Sequence, residues 1–329
     1  MSVLHIVGNL ANFQPGAGKT SVAAALLVIA NASGKKAAYY KPFSSDPDAD
    51  PDVAFMSGLL QSTSSVSAVP TPRPLSFISD AASTDEAKAE VSRLESAADI
   101  VIIEAPAVTG HLGGPYSQNQ KTLLVHRSPP SPHAGTIATD IDATKGFSGF
   151  VINAIPIHRR DEVARDLAGQ SVPVAVIPES RGMLSVTVEQ LAEHVNGQWV
   201  LDPVNIDAPV ERFMIGGNIM DSGPTYFGRY ANQAVITRVE RPDIQMACMG
   251  ENTKCLVLTG PGEPTEYIKA EALKRGIPLI QVRSNTIDTA DSLAGLLDKA
   301  DARTTKKARH FAGLLERYMG AEALERLLS

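Results

Sequence analysis

The sequence predicts an α/β protein with a doubly wound, mostly parallel sheet, followed by a second, smaller α/β domain and C-terminal helices. Apolar strand-like runs alternate with helical patterns along most of the chain. These runs are continuous and do not alternate with polar residues, as expected for strands that helices cover on both faces. The 329 residues are about twice the length of a typical domain, so we expect two domains.

The first domain is expected over residues 1–200. An apolar run at residues 3–7 ends at Gly8, and a long helix rich in Ala, Leu and Val begins at Gly18, so this region forms a strand, a loop and a helix. Further strands are predicted at residues 37–41, 99–104, 122–126, 147–153 and 172–177, and helices at residues 85–97 and 158–167. Segments rich in Ser, Thr and Pro are predicted to be surface loops at residues 60–80 and 127–135.

The second domain is expected over residues 205–300. Its pattern predicts strands at residues 234–237, 255–259 and 279–282, and helices at residues 242–249, 265–275 and 289–297. This spacing suits one compact domain of roughly a hundred residues. Residues 301–329 carry leucines and basic residues at helical spacing, and we expect two helical stretches broken near Gly320.

The composition limits the classes of partner. A net charge of -6 disfavours a nucleic acid polymer or an anionic membrane as partner. The longest apolar run, residues 22–30, is too short for a membrane span, and the N-terminus lacks the pattern of a signal peptide, so a cytoplasmic location is expected. The two cysteines, Cys248 and Cys255, are too few for a disulfide framework or a zinc site. Small molecules are therefore the expected ligands.

A glycine-rich turn between the first strand and the first helix carries the strongest chemical signal. Its backbone N–H groups suit phosphate oxygens, Lys19 suits the β- and γ-phosphates, and Thr20 suits Mg²⁺. The full pattern has a glycine five residues before Gly18, where this chain has Phe13. A plain connecting turn is the alternative, but a Lys-Thr pair that opens a helix directly after a strand favours phosphate binding. The candidate nucleotide-binding residues of this turn are Gly16, Ala17, Gly18, Lys19, Thr20 and Ser21.

Acidic and basic residues follow two of the predicted strands. Glu104 ends a strand, where a carboxylate faces the ligand crevice of a parallel sheet and can hold Mg²⁺ or its water. Four aspartates follow the second strand, and a metal needs only one or two of them. For three of the four, a solvated acidic loop is the better interpretation. The four are Asp46, Asp48, Asp50 and Asp52. Lys41 can neutralise a phosphate or an anionic substrate, or pair with one of these aspartates, and both alternatives stay open.

The seven histidines are scattered and form no pattern with a nucleophile, so no hydrolytic triad is predicted. His111 and His158 are expected at the surface. Trp199 and the pair Tyr39 and Tyr40 are expected to fill the core.

Taken in order, these motifs resemble the dethiobiotin synthetase-like P-loop family over nearly all of residues 1–200. The resemblance rests on residues 15–20, 39–42, 52, 101–104, 149–153 and 176–179. It implies ATP and Mg²⁺ as cofactors, with Thr20, Asp52 and Glu104 at the metal. It also implies that Asn153 and the loop at Pro178 and Glu179 lie near the adenine.

The segments at residues 215–217, 241–245, 256–260 and 276–280 are similar to the DRTGG domain. These two domains, in this order, precede the catalytic domain of long bacterial phosphotransacetylases. That catalytic domain needs roughly three hundred further residues, so acetyl transfer by this chain alone is not expected. The chain departs from both families: residues 105–108 replace the glycine-rich substrate loop of the synthetases, and residues 238–243 lack the glycine pair of the DRTGG signature.

Three functions remain open. In the first, the chain is an ATP-dependent enzyme, either an ATPase or a ligase that activates a small carboxylate or carbamate. Lys19 and Lys41 would then stabilise the transferred phosphoryl group. Alternatively, it is a nucleotide sensor whose second domain transmits occupancy to a partner or within a homo-oligomer. The third alternative is a scaffold with a vestigial phosphate site. The phosphate and metal residues favour turnover, whereas the replaced substrate loop favours the sensor. We therefore expect an ATP-binding protein with candidate ATPase activity. Whether it has a second small-molecule ligand stays open.

Overall fold

The computed structural model describes residues 2–8, 16–63, 65–106, 114–127, 146–217 and 222–329. The chain divides into two compact units. One comprises Met1–Ser180 with Ala302–Ser329, and the other comprises Arg181–Asp301. The division therefore differs from the expected boundary near residue 200, because residues 181–200 supply two helices and two strands to the second unit, and because the C-terminal segment joins the first.

The first unit alternates strands and helices. Its elements, in order, are β1 (Ser2–Gly8), α1 (Lys19–Ala32), β2 (Ala37–Tyr40), β3 (Phe43–Ser44), α2 (Pro51–Gln61), β4 (Arg73–Pro74), α3 (Ala81–Glu95), β5 (Ile100–Glu104), β6 (Gln120–Arg127), β7 (Gly149–Ile155), α4 (Arg160–Asp166) and β8 (Val174–Pro178). The surface loop predicted over residues 60–80 contains β4 and a short 3-10 helix, Leu75–Phe77. Residues 128–135 of the other predicted loop lie outside the described residues.

Six of these strands form one parallel sheet in the order β2-β5-β1-β6-β7-β8. Val3 of β1 lies opposite Val101 of β5 on one side and Gln120 of β6 on the other. The chain thus runs outward in both directions from β1. Ligands of such sheets bind where the strand order reverses, at the carboxyl ends of the strands. The predicted fold is confirmed, and the turn after β1 lies at that point.

The conformation of Gly18 determines where α1 begins. Its φ of 98° is left-handed, a region that side chains disfavour. A Cβ atom at this position would also clash with the side-chain amide of Asn153. Behind it, Val22, Leu26 and Leu27 are fully buried. Glycine is therefore required both by the backbone and by the strand that packs against the turn.

The second unit contains a separate sheet. Its elements are α5 (Arg181–Leu184), β9 (Val186–Thr187), α6 (Val188–His194), β10 (Gln198–Trp199), β11 (Pro209–Val210), β12 (Arg212–Gly216), α7 (Gly223–Phe227), β13 (Gln233–Arg238), α8 (Pro242–Cys248), β14 (Thr253–Thr259), α9 (Glu266–Arg275), β15 (Leu279–Val282) and α10 (Thr286–Ser292). The sheet order is β10-β15-β14-β13-β12, in which only the short edge strand β10 is antiparallel. The helix predicted at residues 289–297 begins earlier because the Asn285 side chain caps it.

Two C-terminal helices, α11 (Thr305–Met319) and α12 (Ala321–Leu328), complete the first unit. Gly320 separates them, as predicted. The α11 helix packs against α1 and β8, with Phe311 and Leu315 buried. The Lys35 ammonium donates a hydrogen bond to the Leu328 carbonyl at 2.9 Å, which fixes α12. Within the described residues, none of the helices is both long and apolar enough to cross a membrane.

Candidate phosphate and metal site

Side chains from two neighbouring strands hold the glycine-rich turn. Arg127, at the end of β6, donates to the Gly16 carbonyl at 3.3 Å, and Asn153 of β7 donates through Nδ2 to the Ala17 carbonyl at 3.1 Å. Gly18 offers no side chain to cap α1, so the first N–H groups of the helix have no side-chain cap. Such a helix start binds anions. Phe13 and Pro15 lie outside the described residues, so the structure does not test the departure at Phe13.

Lys19 lies in the first turn of α1. Its ammonium donates to the Pro106 carbonyl at 3.4 Å, a long hydrogen bond that leaves donor capacity for a ligand. Burial lowers the pKa of Lys19 below its usual value, and the Lys41 charge adds to this, while Glu104 offsets part of it. An anion beside Lys19 would raise this pKa again by stabilising the charged ammonium.

Glu104 is 2% exposed at the end of β5 and accepts two hydrogen bonds. Thr20 donates to Oε1 at 2.9 Å, and the hydroxyl of Tyr39 donates to Oε2 at 2.8 Å. Burial raises the pKa of this carboxyl group above its usual value, and the negative charge of Asp52 raises it further, against the opposing charges of Lys41 and Lys19. The ionised form of Glu104 therefore gains from any additional positive charge at this edge of the sheet.

Lys41 lies between two carboxylates. Its ammonium is 2.6 Å from Asp52 Oδ2 and 2.8 Å from Asp50 Oδ2. Burial alone lowers the pKa of Lys41, but its hydrogen bonds to Asp50 and Asp52 outweigh this and raise it. Of the two alternatives for Lys41, the structure has the ion pair.

Asp50 differs from the expectation of a solvated loop. It is 6% exposed and caps α2, where its Oδ1 accepts from the N–H groups of Asp52 and Val53 at 2.9 and 3.1 Å. Asp46 and Asp48 are exposed, as expected of a solvated loop. The helix was missed because the aspartate run was interpreted as a loop, although Asp50 followed by proline at the first helical position is a helix-start signal.

Arg303 completes the cluster from a distant part of the chain. It precedes α11, and its Nε donates to Asp52 Oδ1 at 2.8 Å. For Asp52, burial raises the pKa, but the hydrogen bonds and charges of Lys41 and Arg303 lower it below its usual value. Sequence analysis missed Arg303 because no local pattern connects positions 251 residues apart. It also missed the polar role of Tyr39, which is buried as predicted but whose hydroxyl serves Glu104.

The remaining predicted residues lie on other elements. Ser21 is half-buried in α1. Pro178 ends β8, and the Glu179 N–H donates to the Ile155 carbonyl at 2.8 Å, so this loop lies at the carboxyl ends of β7 and β8. The Asn153 amide is bonded to Ala17, and its contact with an adenine stays a prediction. His158 is exposed and Trp199 packs against a core cluster of the second unit, as expected, whereas His111 lies outside the described residues.

The oxygen donors suit magnesium. Thr20, Asp52 and Glu104 offer a hydroxyl and two carboxylates, the hard ligands that Mg²⁺ takes. Among the described residues, no group of three or more His, Cys, Asp or Glu side chains could hold a metal ion. Magnesium usually keeps several waters and binds one or two carboxylates together with substrate phosphates. This partial donor set therefore fits a metal that enters with a phosphorylated ligand.

Two family models match separate parts of the chain. Residues 10–122 match an AAA domain. Residues 190–296 match the DRTGG domain. A P-loop domain of the dethiobiotin synthetase-like kind is followed by a DRTGG domain. The domain order expected from the sequence is thereby confirmed, and the P-loop match includes the turn, Lys41, Asp52 and Glu104.

Solved structures show weaker similarity. The CBS and DRTGG domains of a Clostridium perfringens pyrophosphatase regulatory region, complexed with diadenosine tetraphosphate, are 15% identical with a TM-score of 0.30, covering 44% of this chain and 73% of that chain. Cobyrinic acid a,c-diamide synthase from Mycobacterium smegmatis, with bound ADP and magnesium, is 16% identical with a TM-score of 0.37, covering 55% of this chain and 87% of that chain. At these scores no residue is equated between the chains.

Proposed function

We propose that the P-loop domain binds ATP with Mg²⁺ and hydrolyses it. The observation that carries this proposal is the hydrogen bond from Thr20, at the start of α1, to Glu104, at the end of β5. It joins the hydroxyl and the carboxylate that such a site needs, one residue from Lys19. The uncapped start of α1 supplies the backbone donors for the phosphates.

Each residue has a proposed part. The N–H groups of Gly16–Thr20 orient the phosphates, and the Lys19 ammonium stabilises charge on the γ-phosphoryl oxygens. Thr20, Asp52 and Glu104 would hold Mg²⁺, which supplies positive charge beside the β- and γ-phosphates. Lys41 remains a proposed second cation for the transferred group; its ion pairs with Asp50 and Asp52 keep it at this edge.

Adenine recognition is proposed for Asn153 and for the loop at Pro178 and Glu179. Asn153 touches the phosphate turn, and the loop follows the adjacent strand, so both lie on the same side of the turn. We expect Asn153→Ala to weaken ATP binding more than it weakens binding of inorganic triphosphate. Equal losses for both ligands would remove Asn153 from the base site and leave it as a support of the turn.

A second candidate is a nucleotide sensor without turnover. Two observations favour it: a DRTGG domain follows the P-loop domain, and cations engage both oxygens of Asp52. In this case, the chain would act like the regulatory region of long bacterial phosphotransacetylases. A cytoplasmic location and a homo-oligomer stay predictions of the sequence.

The test is a calorimetric titration of ATP with Mg²⁺, followed by phosphate release in the same sample. Lys19→Ala is expected to weaken binding about thirtyfold or more, as for a lost hydrogen bond to a charged group. Lys36→Ala, at an exposed lysine just beyond α1, is the matched control and should bind normally. Binding with phosphate release supports the ATPase, and binding without release supports the sensor. No binding by the wild-type protein, or equal binding by Lys19→Ala, would overturn the proposal.

A further inference from the structure

Both carboxylate oxygens of Asp52 hold a cation. Lys41 donates to Oδ2 at 2.6 Å and Arg303 donates to Oδ1 at 2.8 Å. The Asp52 side chain is 11% exposed, so these charge-assisted hydrogen bonds form largely out of water. A residue proposed as a metal ligand is thus engaged by two positive groups of the protein itself.

The two cations differ in how exposed they are to solvent. Lys41 is 12% exposed and also pairs with Asp50, which is fixed as the cap of α2. Arg303 is 36% exposed and lies on the segment that leads into α11. A divalent ion arriving at Asp52 would repel both positive groups, because like charges a few ångströms apart oppose one another at this polarity. Arg303 is the cation that can move into solvent or onto a ligand.

A triphosphate provides a better partner for that side chain. The guanidinium is planar and donates two parallel hydrogen bonds, which matches phosphate oxygens. Asp52 is close enough to Lys19 and Glu104 for its charge to act on both. Since Asp52 is proposed to hold the metal beside the last phosphate, its partner Arg303 is the guanidinium that this phosphate would recruit.

We propose that Arg303 exchanges partners when nucleotide binds: it leaves Asp52 for the terminal phosphate of a nucleoside triphosphate, which frees Asp52 for the metal. This inference rests on the proposed function. It makes Arg303 the group that distinguishes a triphosphate from a diphosphate. Because Arg303 follows Asp301, the last residue of the second unit, by two positions, the exchange also moves the segment that joins the DRTGG domain to α11.

A purely structural brace is the alternative. In that case, Arg303 neutralises Asp52 in every state, and its loss weakens all nucleotides alike. Exchange predicts an asymmetry: Arg303→Gln should weaken a non-hydrolysable ATP analogue about tenfold, as for one lost charged hydrogen bond, and change ADP affinity less than about twofold. It also predicts tighter binding of Mn²⁺ alone, since a competing cation has been removed from Asp52.

The experiment combines calorimetry of both nucleotides with Mg²⁺, spin-resonance titration of Mn²⁺ without nucleotide, and hydrogen exchange of the wild-type protein. Arg309→Gln, an exposed arginine on α11, is the control and should match wild type in each titration. Peptides covering residues 300–310 should change their exchange with the ATP analogue and not with ADP. Equal weakening of both nucleotides, unchanged Mn²⁺ affinity or identical exchange with both ligands would overturn the exchange.

The wild-type measurements keep the two proposals apart. If the wild-type protein binds ATP but residues 300–310 exchange identically in both complexes, only the role of Arg303 fails. If it binds neither nucleotide, the proposed function fails, and the role of Arg303 fails with it. Should Arg303→Gln not fold, the exchange comparison on the unaltered protein still decides the question.

Discussion

The two sheets bury different kinds of polar groups. In the first unit, several ionisable residues are less than 10% exposed: Glu104 at the carboxyl end of β5, Asp50 and Asp52 at the start of α2, and His5 in the middle of β1. Among the described residues of the second unit, the buried polar side chains are uncharged, and they are Ser185, Gln233, Thr237, Gln245, Thr253, Thr259 and Thr289. Buried charges cost far more free energy than buried amides or hydroxyls. The carboxyl end of the first sheet is therefore the one suited to an ionic ligand.

The ends of β14 and β15 nevertheless border a large cleft. Its volume is about 800 Å³, and residues 195–196, 198–200, 260–264 and 281–284 line much of it. The Lys269 ammonium in this cleft is paired with Glu263 at 3.1 Å and with Glu266 at 2.9 Å. Space for a ligand therefore does not distinguish the carboxyl ends of the two sheets. The buried ionisable side chains beside the first sheet do.

The largest expected effect tests that contrast directly. Glu104→Gln keeps the shape of the side chain but removes its charge, so the affinity for ATP with Mg²⁺ should fall about ten- to a hundredfold. The melting temperature of Glu104→Gln should instead be higher than that of the wild-type protein. Because the folded-state pKa of Glu104 is raised, its ionisation destabilises the fold as the pH rises above the usual value of 4.5, and glutamine avoids this. Calorimetric titration and thermal unfolding at pH 7 measure both; a lower melting temperature would contradict the account.

Gln245→Leu should destabilise the second unit by about 2 kcal/mol and leave ATP affinity unchanged. The Gln245 amide donates to the carbonyls of Arg238 and Val239 at 2.9 and 3.0 Å, and leucine would leave these buried acceptors unsatisfied. Urea unfolding at pH 6 and pH 8 should give the same loss, because no ionisable group is involved. A loss of unfolding free energy that changes with pH would show that an ionisable group contributes to the stability of the second sheet.

His5 should make the first unit sensitive to acid. Burial, and secondarily the Lys19 charge, lowers the pKa of His5 from 6.5 to about 3. The unfolded chain therefore takes up a proton that the folded chain refuses, and stability falls as the pH decreases from 6.5 towards 3, by up to about 1.4 kcal/mol per pH unit. In His5→Asn the slope between pH 6.5 and 5 should flatten, as measured by denaturant unfolding. An unchanged slope would mean that ionisable groups other than His5 cause the acid sensitivity.

The smallest effect is expected in the cleft of the second unit. Arg283 is exposed after β15, so Arg283→Gln should change neither stability nor ATP affinity by more than about 0.5 kcal/mol. Unfolding and calorimetric titration run beside Glu104→Gln provide the check. A larger loss of ATP affinity would mean that the cleft of the second unit is coupled to ATP binding at the first unit.

Local patterns place Lys19, Thr20 and Glu104 in one candidate site, and the structure brings Thr20 and Glu104 together. A glycine-lysine-threonine turn after a buried strand predicts Lys19 and Thr20, and a carboxylate at a strand end predicts Glu104, because each signal lies within a few residues. All six strands of the first sheet were predicted for the same reason, since continuous apolar runs are visible in sequence.

The partners of that centre could not be predicted in this way. Arg303 reaches Asp52 because α11 packs on α1 and β8 of the first unit, although residues 181–301 separate these elements in sequence, and sequence spacing does not encode this contact. Tyr39 belongs to a strand in which all four residues are buried, so nothing in the pattern separates a hydroxyl that serves Glu104 from an aromatic ring that fills space. The helix α2 is a different case, because its start signal at Asp50 and Pro51 was present.

The division of the chain also sets the order in which its parts can mature. The first unit consists of two stretches separated by residues 181–301. On the ribosome, the DRTGG domain emerges and can fold while α1 and β8 still lack α11, the helix that packs against them. Until then the nascent chain presents an uncovered apolar surface of the kind that chaperones bind or that aggregates. Of the two units, the P-loop domain thus begins to be synthesised before the DRTGG domain and is completed after it.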